Sequence, residues 1–189
     1  VFLAMLGMGS GVHAAGYAGI GVGQASVDIE TIDFGPSVSA DVTDKETSFK
    51  LFGGYSVNEN FSIEAGYVNF GKDFGVNYSD GIDSISVKME ANALYVAAVG
   101  SVPISQVSFF GKFGFAQWNA DASLTSTFLA PDSISESGTD PMIGLGIKFD
   151  ASDSVTISAE LESYKNFGDE DTIGETDIDV FSVSAIMKF

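Results

Sequence analysis

The sequence contains no cysteine and no arginine, and His13 is its only histidine. Without cysteine, a disulfide framework and thiolate metal sites are both excluded. Positive charge comes from lysine alone, since 8 basic residues stand against 26 acidic ones and give a net charge of −18. Because nucleic-acid binding needs clustered Lys and Arg to neutralise phosphates, nucleic acid is not expected as a partner.

Long apolar runs are also missing, and no stretch approaches the ~20 apolar residues of a membrane-spanning helix. The chain starts with VFLAMLGMGSGVHAA, a short apolar run that ends in small residues. Such a run is typical of the apolar core and cleavage end of a secretory signal. We therefore predict a signal-peptide remnant at residues 1–15 and one domain at residues 16–189.

Eight segments of this domain alternate apolar with small or polar residues, with the period of 2 that a half-buried β-strand requires. Short turns alternate with long polar loops, which lie at residues 29–46, 71–84, 120–139 and 165–177. Abundant glycine and only 4 prolines suit a β-rich protein. The predicted strands cover residues 16–28, 47–57, 61–70, 86–102, 106–118, 141–149, 154–163 and 179–189.

The last predicted strand ends on an aromatic residue. Chain termini usually fray into water, whereas the last strand of a closed barrel must pair with the first. An apolar strand with a terminal Phe resembles the assembly signal of bacterial outer-membrane β-barrels. We therefore predict that the barrel-assembly machinery recognises one face of this strand, formed by Phe181, Val183, Met187 and Phe189.

Alternation alone fits a soluble sandwich or a lipocalin-like barrel as well as a membrane barrel, since each has one apolar face. The signal, the small residues of the polar face and the alternating loop lengths favour the membrane. The sequence predicts an all-β fold, an eight-stranded antiparallel up-and-down transmembrane β-barrel in the bacterial outer membrane. We expect a monomer in contact with lipid and lipopolysaccharide, with one aromatic girdle formed by Tyr17, Tyr55, Phe61, Phe149 and Phe189.

One long segment carries a family resemblance. The stretch FKLFGGYSVNENFSIEAGYVNF, residues 49–70, resembles the second and third strands of the OmpA-like transmembrane β-barrel family. PMIGLGIKF and NFGDEDTIGE are similar to its sixth strand and fourth loop. The resemblance implies a barrel without a wide pore and with interior salt bridges, in which Glu64 takes an acidic position. Ser158 and Lys148 depart from the family pattern. The interior salt bridges of the family are therefore not assigned to matching residues of this chain.

From the second to the eighth predicted strand, the lysines and glutamates well inside a strand are even-numbered and so share one face. A charge in a narrow lumen is costly unless it is paired. We therefore expect Glu64 and Glu160 each to have a lysine within salt-bridge reach. The predicted interior network contains four residues of each sign, Lys50, Lys88, Lys112 and Lys148 with Glu64, Glu90, Glu160 and Glu162.

The sequence predicts no catalytic residue, no metal site and no cofactor. A lipid-modifying hydrolase would need a histidine base beside a serine, and His13 would leave with the signal. Asp169, Asp171 and Gly174 match part of a calcium loop, but apolar residues occupy two of its other ligand positions. Two functions remain, a structural or surface-interaction protein with acidic extracellular loops and a small cation-preferring diffusion channel. Because side chains largely fill an eight-stranded barrel, the first is favoured.

Overall fold

The computed structural model describes residues 16–27, 39–43, 45–79, 84–126, 132–169 and 174–189. The predicted signal remnant at residues 1–15 lies outside the described residues. Across the described ranges, no helical segment has the length and apolar character needed to cross a lipid bilayer. The strands are β1 (Gly16–Val27), β2 (Ser39–Thr43), β3 (Lys45–Ser56), β4 (Phe61–Ser79), β5 (Ser84–Ile104), β6 (Val107–Ser126), β7 (Asp132–Asp150), β8 (Val155–Asp169) and β9 (Gly174–Lys188).

These strands form one antiparallel sheet that closes on itself. β1 pairs with β3 on one side and with β9 on the other, and a pairing between β4 and β5 completes the ring. Eight strands, β1 and β3 to β9, make the barrel, which leaves no open edge along its wall. The predicted fold class is therefore confirmed. The additional strand β2 was not predicted; it pairs with the end of β4 that lies farthest from the turn to β3.

At the end of the barrel away from the short turns, the strands run well beyond their predicted limits. Leu124 of β6 still pairs with Asp132 of β7, inside the predicted loop at residues 120–139. β4 likewise continues to Ser79 and β5 begins at Ser84, inside the predicted loop at residues 71–84. The loop predictions are wrong over these stretches, because their outward side chains are mostly polar and the apolar outer face that marks the other strand segments is missing.

The outer face of the barrel carries an uncharged apolar band. Large side chains on it are well exposed, for example Leu94 at 59 % and Leu145 at 64 %. At the short-turn end the band finishes in aromatic residues, and we infer from the turn lengths that this end faces the periplasm. At the other end, which we take as extracellular, the band stops at a polar ring with one outward side chain per strand: Gln24, Thr47, Asn69, Asn92, Gln117, Thr139, Ser163 and Asp179.

β5 presents its faces in the opposite parity to the prediction. Odd-numbered Ala97 is buried in the lumen, whereas even-numbered Leu94 and Val96 are exposed on the apolar band. Ile104 pairs with Val107, so only two turn residues separate them, and an even number of intervening residues reverses the parity between the two strands. Because β5 is apolar on both faces, its sequence does not reveal this reversal.

Candidate functional site in the barrel lumen

Five buried charged side chains occupy the middle of the lumen, and we call them the lumen network. They project from inward-facing positions on four strands, namely β3, β4, β6 and β8. Each side chain is at most 5 % exposed, so the group is out of contact with bulk water. The members are Lys50, Glu64, Lys112, Glu160 and Glu162.

Every member of the lumen network has a partner of opposite sign. Lys112 Nζ lies 2.7 Å from Glu64 Oε1, 2.8 Å from Glu160 Oε2 and 3.2 Å from Glu162 Oε1. Lys50 Nζ contacts Glu160 Oε1 and lies 2.8 Å from Glu162 Oε2. Because each lysine bridges at least two carboxylates, the charges offset one another where water cannot. Glu64 and Glu160 each have the lysine that the sequence led us to expect.

Aromatic side chains frame the lumen network. The hydroxyls of Tyr17 and Tyr95 donate to Glu64 at 3.0 Å and 2.9 Å. The ring of Phe52 lies 5.1 Å from Lys50 Nζ and 5.8 Å from Lys112 Nζ, within the range of cation–π attraction. The carboxylate of Glu64 thus accepts three hydrogen bonds in total, since Lys112 also donates to it.

Three of the eight predicted network residues lie elsewhere. Lys148 is in the lumen but nearer the periplasmic end, where its Nζ lies 4.5 Å from the centre of the Phe110 ring. Lys88 and Glu90 are exposed on the outer wall, beyond the polar ring. The prediction is wrong for these two residues because β5 has the reversed parity, so its even-numbered positions face outward.

Above the lumen network, the extracellular half of the lumen is filled by apolar side chains. The rings of Phe70 and Tyr164 meet edge to face, with centroids 4.8 Å apart. Trp118 Nε1 donates to Asp140 Oδ2 at 2.7 Å, which ties one large ring in place. We call this group the apolar plug, and its members are at most 3 % exposed: Val68, Phe70, Trp118, Met142, Tyr164, Ile178 and Val180.

The sequence did not lead us to expect the apolar plug or the hydrogen bonds that Tyr17 and Tyr95 donate to Glu64. A usable signal was present, because Val68 and Phe70 share the parity of Glu64 and therefore had to face inward. Tyr17 was expected in the aromatic girdle, and that prediction is wrong. Its ring is 7 % exposed and faces the lumen, because outward positions on β1 are even-numbered. The other girdle residues are exposed, namely Tyr55, Phe61, Phe149 and Phe189.

The closing strand β9 places its predicted assembly residues on the apolar band. Phe189 is 70 % exposed and Met187 61 %, with Phe181 and Val183 beside them on the same face. The backbone N–H of Phe189 donates to the carbonyl of Gly16 at 2.8 Å, which joins the two ends of the described barrel. Recognition of this face by the assembly machinery stays a prediction.

Among the described residues, no group of three or more His, Cys, Asp or Glu side chains is arranged to hold a metal ion. The partial calcium loop runs through residues 170–173, which lie outside the described residues. The predictions of no catalytic residue, no metal and no cofactor therefore stay predictions.

The fold resembles several solved outer-membrane barrels. Ail, the attachment invasion locus protein of Yersinia pestis, is 18 % identical with a TM-score of 0.55, and the match covers 92 % of this chain and 99 % of Ail. Neisserial surface protein A is 12 % identical with a TM-score of 0.60, covering 92 % and 97 %. OprG from Pseudomonas aeruginosa is 14 % identical with a TM-score of 0.56, covering 94 % and 98 %. No curated protein sequence matches the chain.

A family assignment comes from the sequence itself. Residues 13–189 match the model of the OmpA-like transmembrane domain, which is nearly the whole chain. The match includes every strand of the closed antiparallel barrel and the whole lumen network. The chain therefore belongs to the OmpA-like transmembrane domain family and is a β-barrel of the bacterial outer membrane.

Proposed function

We propose that this outer-membrane barrel has a structural or surface-interaction role and does not conduct ions. The proposal rests on the observation that two groups of side chains, the lumen network and the apolar plug, each close the lumen. The lumen network blocks the middle of the bore with charged side chains that are at most 5 % exposed. The apolar plug fills the extracellular half, and an ion cannot cross a dry apolar segment without a large desolvation cost.

The acidic extracellular face is the surface that we propose for interactions. Beyond the polar ring, the strand extensions carry carboxylates such as Asp121, Asp132 and Asp177, within a chain of net charge −18. A surface of one sign attracts partners of the opposite sign and repels others. We therefore expect basic protein surfaces, or the divalent ions that hold lipopolysaccharide together, as its partners.

This charge bears on whether the chain would bind a ligand of one structural neighbour. Ail has been solved in complex with sucrose octasulfate, a heparin analogue. A polyanion of that kind would meet repulsion at a face rich in Asp and Glu, so we do not expect this chain to bind it.

The other candidate, a cation-preferring diffusion channel, would require both closures to open. Acidic residues at a pore mouth do favour cations. Passage would nevertheless need the ion pairs of Lys112 and Lys50 to separate and the apolar plug to move aside. We therefore rank the channel second, and we do not propose an enzymatic activity, since the only histidine, His13, lies in the predicted signal.

Planar-bilayer conductance tests the proposal directly. The refolded protein should give no discrete conductance steps above the bilayer background. Since the apolar plug stays closed in both variants, neither Lys112→Ala in the lumen network nor Lys165→Ala on the extracellular side should introduce steps. Regular steps from the wild-type protein, with a reversal potential that shows cation preference, would establish the channel instead.

We also propose that the barrel is a monomer inserted by the assembly machinery through the outward face of β9. An uncharged band that lipid can cover completely needs no second copy. Deleting Phe189 removes an exposed terminal ring and the hydrogen bond to Gly16. The deletion should lower the amount of heat-modifiable folded protein in the outer membrane, while Phe109→Ala on the same band should not. Equal folded amounts for the deletion and the wild type would count against recognition.

A further inference from the structure

The periplasmic mouth of the lumen contains an open cavity of about 360 Å³. It lies below the lumen network, and Tyr17, whose hydroxyl reaches Glu64, forms part of its inner wall. Strand ends and turns supply its other walls. The polar groups that matter here are those of Asn58, Ser108, Lys148, Asp150, Thr156 and Lys188.

Lys148 is the unusual cation in this cavity. Its Nζ lies 4.5 Å from the centre of the Phe110 ring and 5.7 Å from that of Tyr17. Among the described residues, no carboxylate lies within salt-bridge distance of it, in contrast to Lys50 and Lys112. An ammonium has three N–H donors and aromatic faces do not replace oxygen acceptors for all of them. Lys148 therefore brings to the cavity wall N–H donors that no carboxylate of the described residues engages in a salt bridge.

One carboxylate oxygen of Asp150 and the amide oxygen of Asn58 are already engaged. Asp150 Oδ1 accepts from Lys188 Nζ at 2.7 Å and from the Thr156 hydroxyl. Asn58 Oδ1 accepts from two turn N–H groups, those of Asn60 and Phe61, at 2.9 Å each. The amide N–H₂ of Asn58 remains as a donor. Glu59 stands on the exposed rim, where water and salt screen its charge.

Ser108 adds a hydroxyl next to the lysine. Ser108 and Lys148 are directly opposed in the pairing of β6 with β7, so their side chains share the lumen face as close cross-strand neighbours. A lysine, a facing hydroxyl and an amide N–H₂ thus line one cavity whose carboxylates are either engaged or at the rim. Such a donor-rich pocket favours a negatively charged ligand.

We propose that this periplasmic cavity binds a small oxyanion, either a phosphate or a carboxylate, through Lys148 and Ser108. The cavity is open towards the periplasm and closed above by the lumen network, so the ligand enters and leaves on one side only. The carboxylate of Glu64 prevents the anion from moving deeper, since like charges repel in a low-dielectric lumen. Its volume leaves room for the anion and part of its hydration shell.

Solution NMR of the refolded full chain in neutral micelles tests the site. Sodium phosphate and sodium acetate are titrated separately at pH 7, with sodium chloride holding the ionic strength constant. We expect saturable shifts of the Ser108 and Lys148 amides and none at Ser135 in the extracellular extension. Saturation at lower phosphate than acetate concentration identifies a phosphate site, and the reverse order a carboxylate site. Shifts that rise linearly with both salts would overturn the proposal.

Variants distinguish a specific anion-binding site from nonspecific electrostatic attraction of anions. Lys148→Met removes the charge while keeping a long side chain and should weaken binding about ten-fold or more. Lys165→Met makes the same charge change on the extracellular side and should leave binding unchanged. Wild-type affinity in Lys148→Met, or equal loss in both variants, would refute the site. If Lys148→Met does not refold, Ser108→Ala should weaken binding several-fold, and unchanged affinity in that variant would refute the site as well.

Discussion

Two ion pairs of nearly the same geometry sit in opposite surroundings in this barrel. Lys112 Nζ lies 2.7 Å from Glu64 Oε1 in the lumen, where both side chains are 2 % exposed. Lys165 Nζ lies 2.6 Å from Asp177 Oδ2 on the extracellular extension, where they are 37 % and 43 % exposed. Distance alone would rank the two pairs as equal. Their environments differ, and the environment sets what each contributes to stability.

The exposed pair should contribute little to the stability of the barrel. The hydrogen bond to Asp177 raises the pKa of Lys165, but water and salt screen the attraction. The buried pair should affect stability mainly when one partner is removed. The remaining partner would then be a buried charge with neither water nor an opposite charge to stabilise it. The comparison indicates that the lumen tolerates no single charge deletion, whereas the extension tolerates many.

The largest expected effect is the loss of Lys112. Lys112→Met leaves three carboxylates in the lumen network with Lys50 as the single lysine, and should cost about 3–5 kcal/mol in the free energy of unfolding. Lys165→Met is the matched control and should cost far less, because water and salt screen the exposed pair. Urea unfolding in lipid vesicles, followed by tryptophan fluorescence, measures both. Equal costs for the two variants would mean that water reaches the lumen network.

A second contrast lies on the outer wall of β7. Leu145→Arg places a charge in the middle of the apolar band and should cost ~2–4 kcal/mol in a bilayer. Thr139→Arg lies on the same face of the same strand but at the polar ring, where the cost should fall to ~0–1 kcal/mol. The same unfolding titration compares them. If Thr139→Arg proved as costly as Leu145→Arg, the band would extend farther than the polar ring indicates.

The smallest effect tests the reversed parity of β5. Lys88 was predicted to face the lumen, as Lys50 does, yet it is exposed on the outer wall beyond the polar ring. Lys88→Met should therefore change the free energy of unfolding by no more than about 0.5 kcal/mol, as expected for surface substitutions. Lys50→Met should cost several times as much, since it removes a buried partner of Glu160. A large loss in Lys88→Met would restore the original prediction for this strand.

Sequence reasoning succeeded where one face of a strand meets lipid and the other meets the lumen. Leu51 and Lys50 fall on opposite faces of β3 because adjacent residues alternate, and the exposures of 52 % and 2 % agree. The contrast is weaker in the strand extensions, since the outward side chains there are mostly polar, although inward ones such as Ala25 and Ala120 stay buried. Their pairing, such as that of Leu124 with Asp132, depends on backbone hydrogen bonds that any residue but proline can make.

Which side chains contact each other in the lumen was harder to predict than which face of a strand each residue lies on. Parity placed Glu64 inside, but nothing in the local sequence identifies Tyr17 and Tyr95 as its hydrogen-bond donors. Tyr17 lies on β1, which β3 separates from β4 in the sheet, whereas Tyr95 lies on β5, which pairs directly with β4. Both approaches to Glu64 depend on strand registers that the local sequence does not specify. The length of one turn also determines which residues of a whole strand face the lumen. Because only two residues separate Ile104 from Val107, every position of β5 faces the side opposite to the predicted one.

The position of the lumen network in the sheet has a consequence for the order of folding. Lys50 belongs to β3 and Glu160 to β8, and β1 and β9 lie between these strands in the sheet. The two side chains meet only across the lumen, so an open sheet would leave each charge without its partner. Partly closed intermediates inside the bilayer are therefore penalised, and insertion and closure are coupled into one cooperative step. The pairing of β1 with β9 closes the ring between β3 and β8, so we expect it to form together with these ion pairs.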